Sequence, residues 1–592
     1  MAETCFLDEL KKLKISSKEA VDHIGDFSEF NQHMHVEREI EKELKDILDE
    51  AIHASMGRLI LVCGSAGDGK SHLLSYLLYK YKEFNDAIEV HNDATESFAP
   101  KKTSLETLKE ELEDYNDENI DSCETIKVLL INLGTLTNFI DSEYGEKFSR
   151  LKAYIENNQI LMADVVNKIE IKDNKFSYVN FADYHMFSLS DEGVGYEYIY
   201  KLMDKVFAKA ENNRFYTQYR EKCSICHVRK RCPIKENFEL LSTDEVRVGV
   251  SSKLIEIMIK EKVSITTRAI MNFIYDIIVH PDFNSLTREK FLKKIDKLNI
   301  IEYMDALTAN IMFTNKDSSR ILKALGNVDP VLCSNEDMDD LINKLNREPY
   351  FARKYLEKVY PLDNTYIVDV LNDEIELKRI FTNSKINRQQ LQKWLINHYL
   401  RLDYLCGSHN ELYKDHVYSE FIKYLYVFNT NNITELGDLY DLVSEAIYKL
   451  DNVKSSDSNI RINMGKSQNR FKTYEKLYLE CEEDELENKV LTGRLDKFVS
   501  NIILDFVIKN KGDRLTIKLD YKLYKLLTKV RQGYIPKKKE RSDFISFIDS
   551  IEKIKNYGEQ NKEIYIKENI ADGVETFKFT KKFGKYKFEV IK

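Results

Sequence analysis

The glycine-rich segment GSAGDGKS, at residues 64–71, constrains the fold of this chain more than any other stretch. It directly follows LILVC at residues 59–63, an uncharged apolar run that predicts a parallel strand covered on both faces. The pattern HLLSYLL at residues 72–78 then predicts a helix. A buried strand, a glycine-rich turn and a helix in this order are typical of the first unit of an α/β domain.

The same segment carries the residue types of a phosphate-binding loop. Its glycines let the backbone curl so that successive N–H groups point at phosphate oxygens. Lys70 is expected to contact the β- and γ-phosphates, and the Ser71 hydroxyl to ligate Mg²⁺. The following helix directs its positive N-terminal end at the same anion. The predicted nucleotide contacts are Gly64, Ser65, Ala66, Gly67, Asp68, Gly69, Lys70, Ser71 and His72.

Further apolar segments extend this unit into a sheet. An amphipathic helix at residues 34–55 precedes the first strand and is expected to pack on the core. Further strands are predicted in AIEVHNDATE (87–96), TIKVLLINLGTL (125–136) and FSYVNFADYHMFSLS (176–190). The alternation of strands and helices predicts a doubly wound α/β core, which we interpret as an AAA+-like P-loop NTPase.

The rest of the chain predicts large, mainly α-helical additions and a small α+β C-terminal part. Segments such as LTIKLD, EIYIKE, ETFKFT and KYKFEV alternate in the manner of strands near the end of the chain. The predicted domains are an N-terminal helical segment (1–55), the P-loop core (56–215), a cysteine-containing helical lid (216–330), a helical domain (331–500) and a basic α+β domain (501–592).

Composition indicates a globular cytoplasmic protein. Hydrophobic residues make up 43% and charged residues 32% of the 592 positions, as in ordinary globular proteins. No apolar run approaches the length of a membrane-spanning helix, and MAETCFLDELKKLK does not resemble a secretory signal. Nine cysteines are too few for a disulfide scaffold and fit a reducing compartment.

Charge is unevenly distributed along the chain. Residues 501–592 contain 22 Lys and Arg against 13 Asp and Glu, a net charge of +9, whereas the whole chain carries −10. The first 500 residues therefore carry −19. This asymmetry predicts a localised basic surface in the C-terminal part.

The carboxylate that would complete a hydrolytic site is not evident. P-loop enzymes place an Asp at the end of an apolar strand to hold Mg²⁺, but the predicted strand Lys127–Asn132 ends in Ile131-Asn132-Leu133-Gly134, with no carboxylate. The nearest carboxylates at predicted strand ends are Asp93, Glu96 and Asp183, any of which could instead be a surface loop residue. Nucleotide binding is therefore better supported than hydrolysis.

Arg268 is a further candidate for contact with nucleotide. It follows Ser264-Ile265-Thr266-Thr267, which predicts a helix start, and precedes an apolar helix face. An arginine at this point of a helical lid could reach the γ-phosphate, as sensor arginines do in AAA+ ATPases. A solvent-exposed arginine in the first turn is the alternative.

Three cysteines fall within ten residues as C-x₂-C-x₅-C, at Cys223, Cys226 and Cys232. Two thiolates at this spacing suit zinc, and His227 lies beside the second cysteine. The fourth ligand is open, with His227 adjacent and Cys333, Cys406, His409 and His416 remote in sequence. Free thiols or an iron–sulfur cluster are the alternatives to structural zinc.

Two basic segments near the C-terminus are candidates for DNA contact, GYIPKKKER at residues 533–541 and KKFGKYKFEV at residues 581–590. Lysines that protect a sheet edge would give the same pattern in the second segment. A nuclease motif is not evident: Asp363 with Glu376 and Lys378 imitates one, but DEIELKRIF predicts helix rather than strand.

Taken together, these segments resemble the DptF family of DNA phosphorothioation-dependent restriction proteins. The resemblance rests on GSAGDGKSHLL, HNDATESFAP, INLGTLTNF and NFADYHMF, on the cysteine cluster followed by NFELL, on ITTRAIMNFIYDI and on LDYKLYKLLTKVRQGYIP. These stretches occur in order over roughly residues 30–590, with little contribution from 280–500. The family's nucleotide loop falls on Gly64 to Ser71.

The resemblance implies a bacterial defence role. DptF acts with DptG and DptH to restrict DNA that lacks the phosphorothioate modification, so ATP, Mg²⁺, DNA and these partner subunits are expected, and a homo-oligomer is open. A STAND-type regulatory switch that binds nucleotide and hydrolyses it poorly is the alternative, favoured by Asn132. A scaffold with a vestigial loop is a third possibility, against which the intact Lys70 and Ser71 argue.

Overall fold

A computed structural model describes most of the 592-residue chain. The described residues are 5–14, 27–54, 56–92, 103–162, 171–347, 356, 358–360, 362, 365–383, 386–407, 411–450, 459–462, 471–481, 491–508, 514–558, 563–570, 573–582 and 584–591. The chain divides into two compact units. Unit 1 comprises Met1–Leu189, Val194–Lys414 and Leu495–Phe498, and unit 2 comprises Ser190–Gly193, Asp415–Arg494 and Val499–Lys592.

Helices dominate unit 1. They are α1 (Phe6–Leu10), α2 (Glu29–Met34), α3 (Glu39–Ala54), α4 (Lys70–Lys80), α5 (Lys82–Ala87), α6 (Ser104–Glu111), α7 (Leu133–Ile140), α8 (Ser149–Asn157), α9 (Glu197–Phe207), α10 (Arg214–Ser224), α11 (Pro233–Leu241), α12 (Asp244–Lys260), α13 (Thr267–Ile278), α14 (Arg288–Ile295), α15 (Ile300–Asp305), α16 (Thr308–Thr314), α17 (Arg320–Leu325), α18 (Glu336–Arg347), α19 (Tyr366–Asn372), α20 (Glu374–Asn383) and α21 (Arg388–Cys406).

The centre of unit 1 is a four-stranded parallel sheet. Its strands are β1 (Arg58–Cys63), β2 (Ile88–His91), β3 (Ile126–Ile131) and β4 (Phe176–Asn180), in the order β2-β3-β1-β4. Strand β1 lies between β3 and β4, with Cys63 opposite Ile131 on one side and Asn180 on the other. The carboxyl ends of these three strands therefore meet at one edge of the sheet. This arrangement confirms the predicted α/β core.

The two faces of the sheet are covered by different helices, which explains the apolar run in β1. Leu59, Leu61 and Cys63 pack into one core with residues of α7 and α8. Ile60 and Val62 point to the opposite core, which contains residues of α3 and α4. All six residues of β1 are buried because alternate side chains of a strand serve opposite faces.

The helix expected before β1 is α3, which begins at Glu39 rather than at residue 34. Its Ile40, Leu44 and Leu48 are fully buried in the same core as α4. Packing of this helix on the strand–loop–helix unit is thereby confirmed. The preceding residues 29–34 form the separate short helix α2, whose start is capped by Ser28 through the Asn31 N–H at 3.1 Å.

The predicted fourth strand is two strands rather than one. After β4, the Asn180 side chain accepts a hydrogen bond from the Ala182 N–H at 3.0 Å and starts a 3₁₀ turn at Phe181–Asp183. The chain then continues as β5 (Tyr184–Ser190), which leaves the parallel sheet and lies between β6 (Gly193–Gly195) and β10 (Leu495–Lys497) in a second sheet. The β5–β10 pairing is antiparallel.

Helices α9–α21 form the helical part of unit 1, and polar side chains join them inside the core. Arg401 on α21 makes a bidentate ion pair with Asp329, with bonds of 3.1 and 2.7 Å, and both side chains are buried. Helix α12 ends at Lys260 and α13 begins at Thr267, which confirms the helix start predicted from Ser264-Ile265-Thr266-Thr267.

Unit 2 combines helices with antiparallel sheets. Its helices are α22 (His416–Asn429), α23 (Gly437–Lys449), α24 (Tyr521–Arg531), α25 (Lys538–Ser542) and α26 (Ile545–Gly558). One sheet has the order β12-β11-β9 and the other the order β15-β14-β13-β8-β7. The strands are β7 (Asn459–Ile462), β8 (Phe471–Lys476), β9 (Leu479–Cys481), β11 (Ile502–Ile508), β12 (Arg514–Leu519), β13 (Glu563–Ile570), β14 (Gly573–Lys582) and β15 (Lys585–Ile591).

Strands β7–β10 lie within residues 331–500, for which the sequence predicts a helical domain. That prediction is wrong for these strands. Their period-two pattern is short and interrupted. In β8, only Thr473, Tyr474 and Glu475 are buried. Such short strands are stabilised by their neighbours in the sheet rather than by local propensity. Among the described residues, none of the helices is both long and apolar enough to cross a membrane.

Candidate functional site

The glycine-rich loop joins the carboxyl end of β1 to the start of α4, as the sequence predicts. Gly67 and Gly69 adopt φ angles of +85° and +99°, in the left-handed region that favours glycine. A Cβ at Gly67 would also lie 3.3 Å from the Thr266 hydroxyl oxygen, so the loop passes close to the chain before α13. The Gly64 N–H donates to the Ile131 carbonyl at 3.2 Å, fixing the loop to the end of β3.

Lys70 is folded back over its own loop. Its ammonium group donates hydrogen bonds to the carbonyl oxygens of Gly64 at 2.9 Å and Ser65 at 2.8 Å. These two bonds hold a positive charge over the concave side of the loop. Phosphate oxygens entering the loop could replace the carbonyls as acceptors, with a gain from charge pairing.

Asp68 places a carboxylate inside the loop itself. It accepts a hydrogen bond of 2.6 Å from the Ser65 N–H, one of the donors expected to face phosphate. Burial raises the pKa of Asp68, while the Ser65 N–H, Lys70 and Arg38 oppose that rise by favouring the charged carboxylate. Arg38, on the segment before α3, is therefore a further cation near the loop.

Ser71 contacts the end of β2. Its hydroxyl donates to the Asn92 side-chain oxygen at 3.0 Å, and Asn92 directly follows the last residue of β2. A Mg²⁺ ion held by Ser71 would therefore have the Asn92 amide oxygen as a neighbour, a hard oxygen ligand of the type Mg²⁺ prefers. Asp93 and Glu96, the carboxylates proposed for this position, lie outside the described residues.

Asn132, at the end of β3, has a local structural partner. Its side-chain oxygen accepts the Thr135 N–H at 2.7 Å and caps α7. The side chain thus satisfies a backbone donor at the start of a helix. Strand β3 is the neighbour of β1 in the sheet. On this side of the loop, the end of the adjacent strand therefore carries the Asn132 amide that caps α7.

Asp183 ends the 3₁₀ turn after β4, on the other side of β1. Asp183 and Lys70 both influence the thiol of Cys63, the last residue of β1. Burial raises the pKa of Cys63 to about 12, with Lys70 opposing the rise and Asp183 adding to it. The structure thus brings Asp183 and Lys70 to the same strand end.

Arg268 lies in the first turn of α13. Thr266 caps this helix by accepting the Ala269 N–H at 3.2 Å, and the same Thr266 side chain is the one that approaches Gly67. Tyr198 on α9 supports this start through a 2.9 Å hydrogen bond to the Thr267 hydroxyl. The helix that carries Arg268 therefore begins beside the glycine-rich loop.

His72 belongs to an aromatic cluster that the sequence alone does not predict. Its Nε2 lies 3.2 Å from Nδ1 of His35, and the His35 ring stacks on Tyr76 with centroids 3.6 Å apart. His35 Nε2 in turn lies 3.1 Å from the Glu41 carboxylate. The segment before α3 therefore packs against the helix that follows the loop. His35 lies 36 residues before Ser71 in the sequence. The packing of α3 on α4 brings His35 to the helix that follows the glycine-rich loop.

The cysteines of the C-x₂-C-x₅-C pattern span the connection from α10 to α11. Cys223 lies in the last turn of α10, and the Cys226 N–H donates to its carbonyl at 3.3 Å. His227 is exposed beside them. Of the remote candidates, Cys333 accepts a hydrogen bond from Asn335, Cys406 lies near Asp403 and Glu245, and His416 starts α22. His409 lies outside the described residues. Within the described part of the chain, no three His, Cys, Asp or Glu side chains are already arranged around a metal position.

In the C-terminal sheet, successive residues of β14 and β15 alternate between a mostly apolar face, which also carries Lys581, and a mostly basic face, which also carries Glu589. Phe579 pairs with Phe588 and Lys581 with Tyr586 on one face, whereas Lys582 pairs with Lys585 and Thr580 with Lys587 on the other. The apolar side chains of β15 are nevertheless open, with Tyr586 63%, Phe588 57% and Val590 62% exposed. In the other basic segment, Tyr534 donates to Glu540 at 2.7 Å. Glu376 and Lys378 lie on helix α20, which agrees with the helical interpretation, and Asp363 is outside the described residues.

Neither a scan of the sequence against protein-family models nor a search of curated proteins gives a match.

Proposed function

We propose that this chain is an ATP-binding subunit, with ATP hydrolysis, of a bacterial DNA phosphorothioation-dependent restriction system that attacks DNA lacking the modification. The proposal combines the resemblance to the DptF family with an AAA+-like P-loop NTPase core. The observation that carries it is the loop between β1 and α4, with Lys70 held over its concave side and Ser71 against Asn92. Partners of the DptG and DptH type would supply cleavage or helicase activity.

The loop N–H groups, Lys70 and Ser71 each have a role in this proposal. The loop N–H groups and the N-terminus of α4 bind the phosphates, and Lys70 leaves the Gly64 and Ser65 carbonyls for phosphate oxygens. Ser71 would hold Mg²⁺, which would supply positive charge to the β- and γ-phosphate oxygens. Arg268 and Asp183 lie on segments next to the loop. We assign Arg268 to contact with the γ-phosphate and Asp183 to the attacking water. Asp93 and Glu96 are the other candidate acids.

The test is phosphate release from ATP, measured with and without DNA, for the native protein and Lys70→Ala. Because Lys70 neutralises the transferring phosphate, we expect Lys70→Ala to lower turnover by about two orders of magnitude or more. Lys82→Ala, an exposed lysine on the neighbouring helix α5, is the matched control and should retain native turnover. Equal turnover in native protein and Lys70→Ala would overturn the assignment of this loop.

A second candidate function is a STAND-like switch that binds nucleotide and hydrolyses it weakly. It is favoured by one observation, the Asn132 amide at the end of β3, which caps α7 where a carboxylate would otherwise be expected. Tight ATP binding that is lost in Lys70→Ala, combined with negligible phosphate release with or without DNA, would select this candidate.

DNA contact is proposed through the basic face of β14 and β15. Lys582, Lys585 and Lys587 lie on that face and are exposed, as a surface that follows a phosphate backbone requires. The opposite face presents Tyr586 and Phe588, which could stack with unpaired bases. This surface supports a role on DNA that is separate from the nucleotide loop.

A further inference from the structure

The cysteine-rich segment between α10 and α11 is a tight turn. Cys223 lies in the last turn of α10, and Cys226 follows two residues after that helix. The Cys226 N–H donates to the Cys223 carbonyl at 3.3 Å, and the Arg229 N–H donates to the Cys226 carbonyl at 3.2 Å. Successive turns of this kind bring a C-x₂-C pair to the same side of the backbone, as in zinc knuckles.

Cys232 directly precedes α11 and occupies its N-cap position. Backbone N–H groups of Ile234 and Lys235 lower the pKa of its thiol, although burial dominates and raises the pKa to about 12. The first turn of a helix is a favourable place for a thiolate, because its N–H groups and dipole stabilise negative charge.

A fourth cysteine reaches this turn from the start of the chain. Cys5 directly precedes α1, which packs antiparallel on α10. Phe6 contacts Tyr219 with ring centroids 5.7 Å apart, and Glu9, one turn later, pairs with Arg214 at 2.8 Å. Cys5, one residue before Phe6, therefore lies toward the C-terminal end of α10, the end that carries Cys223.

A second contact of Phe6, the neighbour of Cys5, involves α11, the helix that directly follows Cys232. The ring of Phe6 packs edge-on against Phe238 of α11, with centroids 5.0 Å apart. Phe6 therefore touches both helices that flank the cysteine turn. Cys5, Cys226 and Cys232 also lie close enough to Cys223 to interact electrostatically with its thiol.

We propose that Cys5, Cys223, Cys226 and Cys232 bind one Zn²⁺ ion as four thiolates. Among the described residues, no three such side chains are arranged around a metal position, so binding requires the cysteine side chains to rotate. All four cysteines lie at a helix end or in the turn between helices. Four S–H bonds break and four Zn–S bonds form, with four protons released to solvent.

Cations lie close to the four thiols, and the site with zinc bound would carry a charge of −2. Arg288 lies near Cys5 and Lys235 near Cys223, although burial raises the pKa of both thiols. Arg229, Lys230 and Arg231 lie within the turn itself. The site goes beyond the proposed nucleotide chemistry, because it ties the first helix of the chain to α10 and α11 through bonds that do not depend on ATP.

Zinc content of the purified full-length chain, measured by elemental analysis, is the first test. We expect about one zinc per chain in the native protein and in Cys333→Ser, whose thiol contacts Asn335 instead. Cys5→Ser should lose zinc to a chelator ~10-fold faster or more, since it retains only three thiolates. Metal-free native protein, an iron–sulfur chromophore, or unchanged zinc release from Cys5→Ser would each overturn the proposal.

Cobalt substitution provides a readout that does not depend on the stability of a variant. Native protein reconstituted with Co²⁺ should show the intense ligand-field absorption of a tetrahedral site and thiolate-to-cobalt charge transfer. If Cys5 is a ligand, Cys5→Ser should show weaker charge transfer while Cys333→Ser matches the native spectrum. A weak octahedral spectrum in the native protein would exclude the four-thiolate site.

Discussion

The Ser71 hydroxyl donates a 3.0 Å hydrogen bond to the Asn92 side-chain oxygen and so joins the glycine-rich loop to the end of β2. Strand β2 lies two positions from β1 in the sheet, with β3 between them. Ser71, the residue that would hold Mg²⁺, is thus positioned by the end of β2, and β2 is not paired with β1, the strand that precedes the loop.

Asn92→Ala should weaken the dependence of nucleotide binding on Mg²⁺. Without the Asn92 oxygen, the Ser71 hydroxyl loses its orienting partner, and we expect the half-saturating Mg²⁺ concentration to rise ~10-fold. Titration of a fluorescent ATP analogue with MgCl₂ measures this.

Ser75→Ala on the same helix is the control for that titration. Among the residues that the structure describes, the buried Ser75 hydroxyl has no hydrogen-bond partner, so its removal should leave Mg²⁺ dependence unchanged. An Asn92→Ala titration curve that coincides with that of Ser75→Ala would contradict the role given to Asn92.

Asp276 on α13 should make stability depend on pH. Burial raises its pKa to about 6, against an ordinary value of 3.8, and Lys14 opposes the rise only weakly. The folded state binds the proton more tightly, so this group's contribution to stability falls as pH rises from about 4 to above 6. Asp276→Asn should therefore stabilise unit 1 by ~3 kcal/mol at pH 8 and by roughly half of that at pH 5.

Urea denaturation of both proteins at these two pH values measures the difference. Asp296→Asn, at an exposed position after α14, is the control. A gain for Asp276→Asn that is equal at both pH values would show that its carboxylate is not the cause.

The buried Arg401–Asp329 pair predicts a large asymmetry between single and double replacement. Asp329→Ala leaves the guanidinium in the core without its carboxylate, while the Asn310 side-chain oxygen still accepts a hydrogen bond from it at 2.9 Å. We expect a loss of about 3–5 kcal/mol. Asp329→Ala combined with Arg401→Met should lose less, because no charge is then left buried.

Thermal and urea unfolding compare these variants with Glu289→Ala, which breaks the exposed pair between Glu289 and Lys293 on α14. That control should cost under about 1 kcal/mol. A double variant that is less stable than Asp329→Ala would mean that the pair contributes net stability rather than specificity.

Charge reversal on the basic face of β14 and β15 tests the proposed DNA surface. The triple variant Lys582→Glu, Lys585→Glu, Lys587→Glu should bind DNA more weakly, with a salt dependence shallower by up to about three phosphate contacts. Fluorescence anisotropy over a range of salt concentrations measures both effects. The triple variant Lys290→Glu, Lys293→Glu, Lys297→Glu, at three exposed lysines in and just after α14, changes the net charge by the same amount and is the control. Equal losses in both variants would argue against a defined surface.

Local sequence patterns were enough to predict the strand, loop and helix that hold Gly64–Ser71. Hydrophobic runs and glycine positions depend on neighbours in the chain, so β1, β3 and α4 follow from them. The splitting of residues 176–190 into β4 and β5 was missed, because the break depends on one Asn180 side chain that accepts a backbone N–H.

Contacts between distant segments could not be predicted from a single sequence. Asn92 reaches Ser71 only because of the strand order, and His35 reaches His72 only because α3 packs on α4. Cys5 was overlooked as a partner of the C-x₂-C-x₅-C pattern since 217 residues separate it from Cys223. Antiparallel packing of α1 on α10, seen in the Phe6–Tyr219 contact, removes that separation.

The return of residues 495–498 to unit 1 affects how the protein can be dissected. A fragment that ends at residue 414 would contain the parallel sheet and the glycine-rich loop but would lack β10. The edge of β5 that pairs with β10 would then be open to pairing with other chains, a common cause of aggregation in truncated proteins. Recombinant production of unit 1 alone therefore calls for residues 495–498 to be grafted back, for example through a short glycine-rich linker.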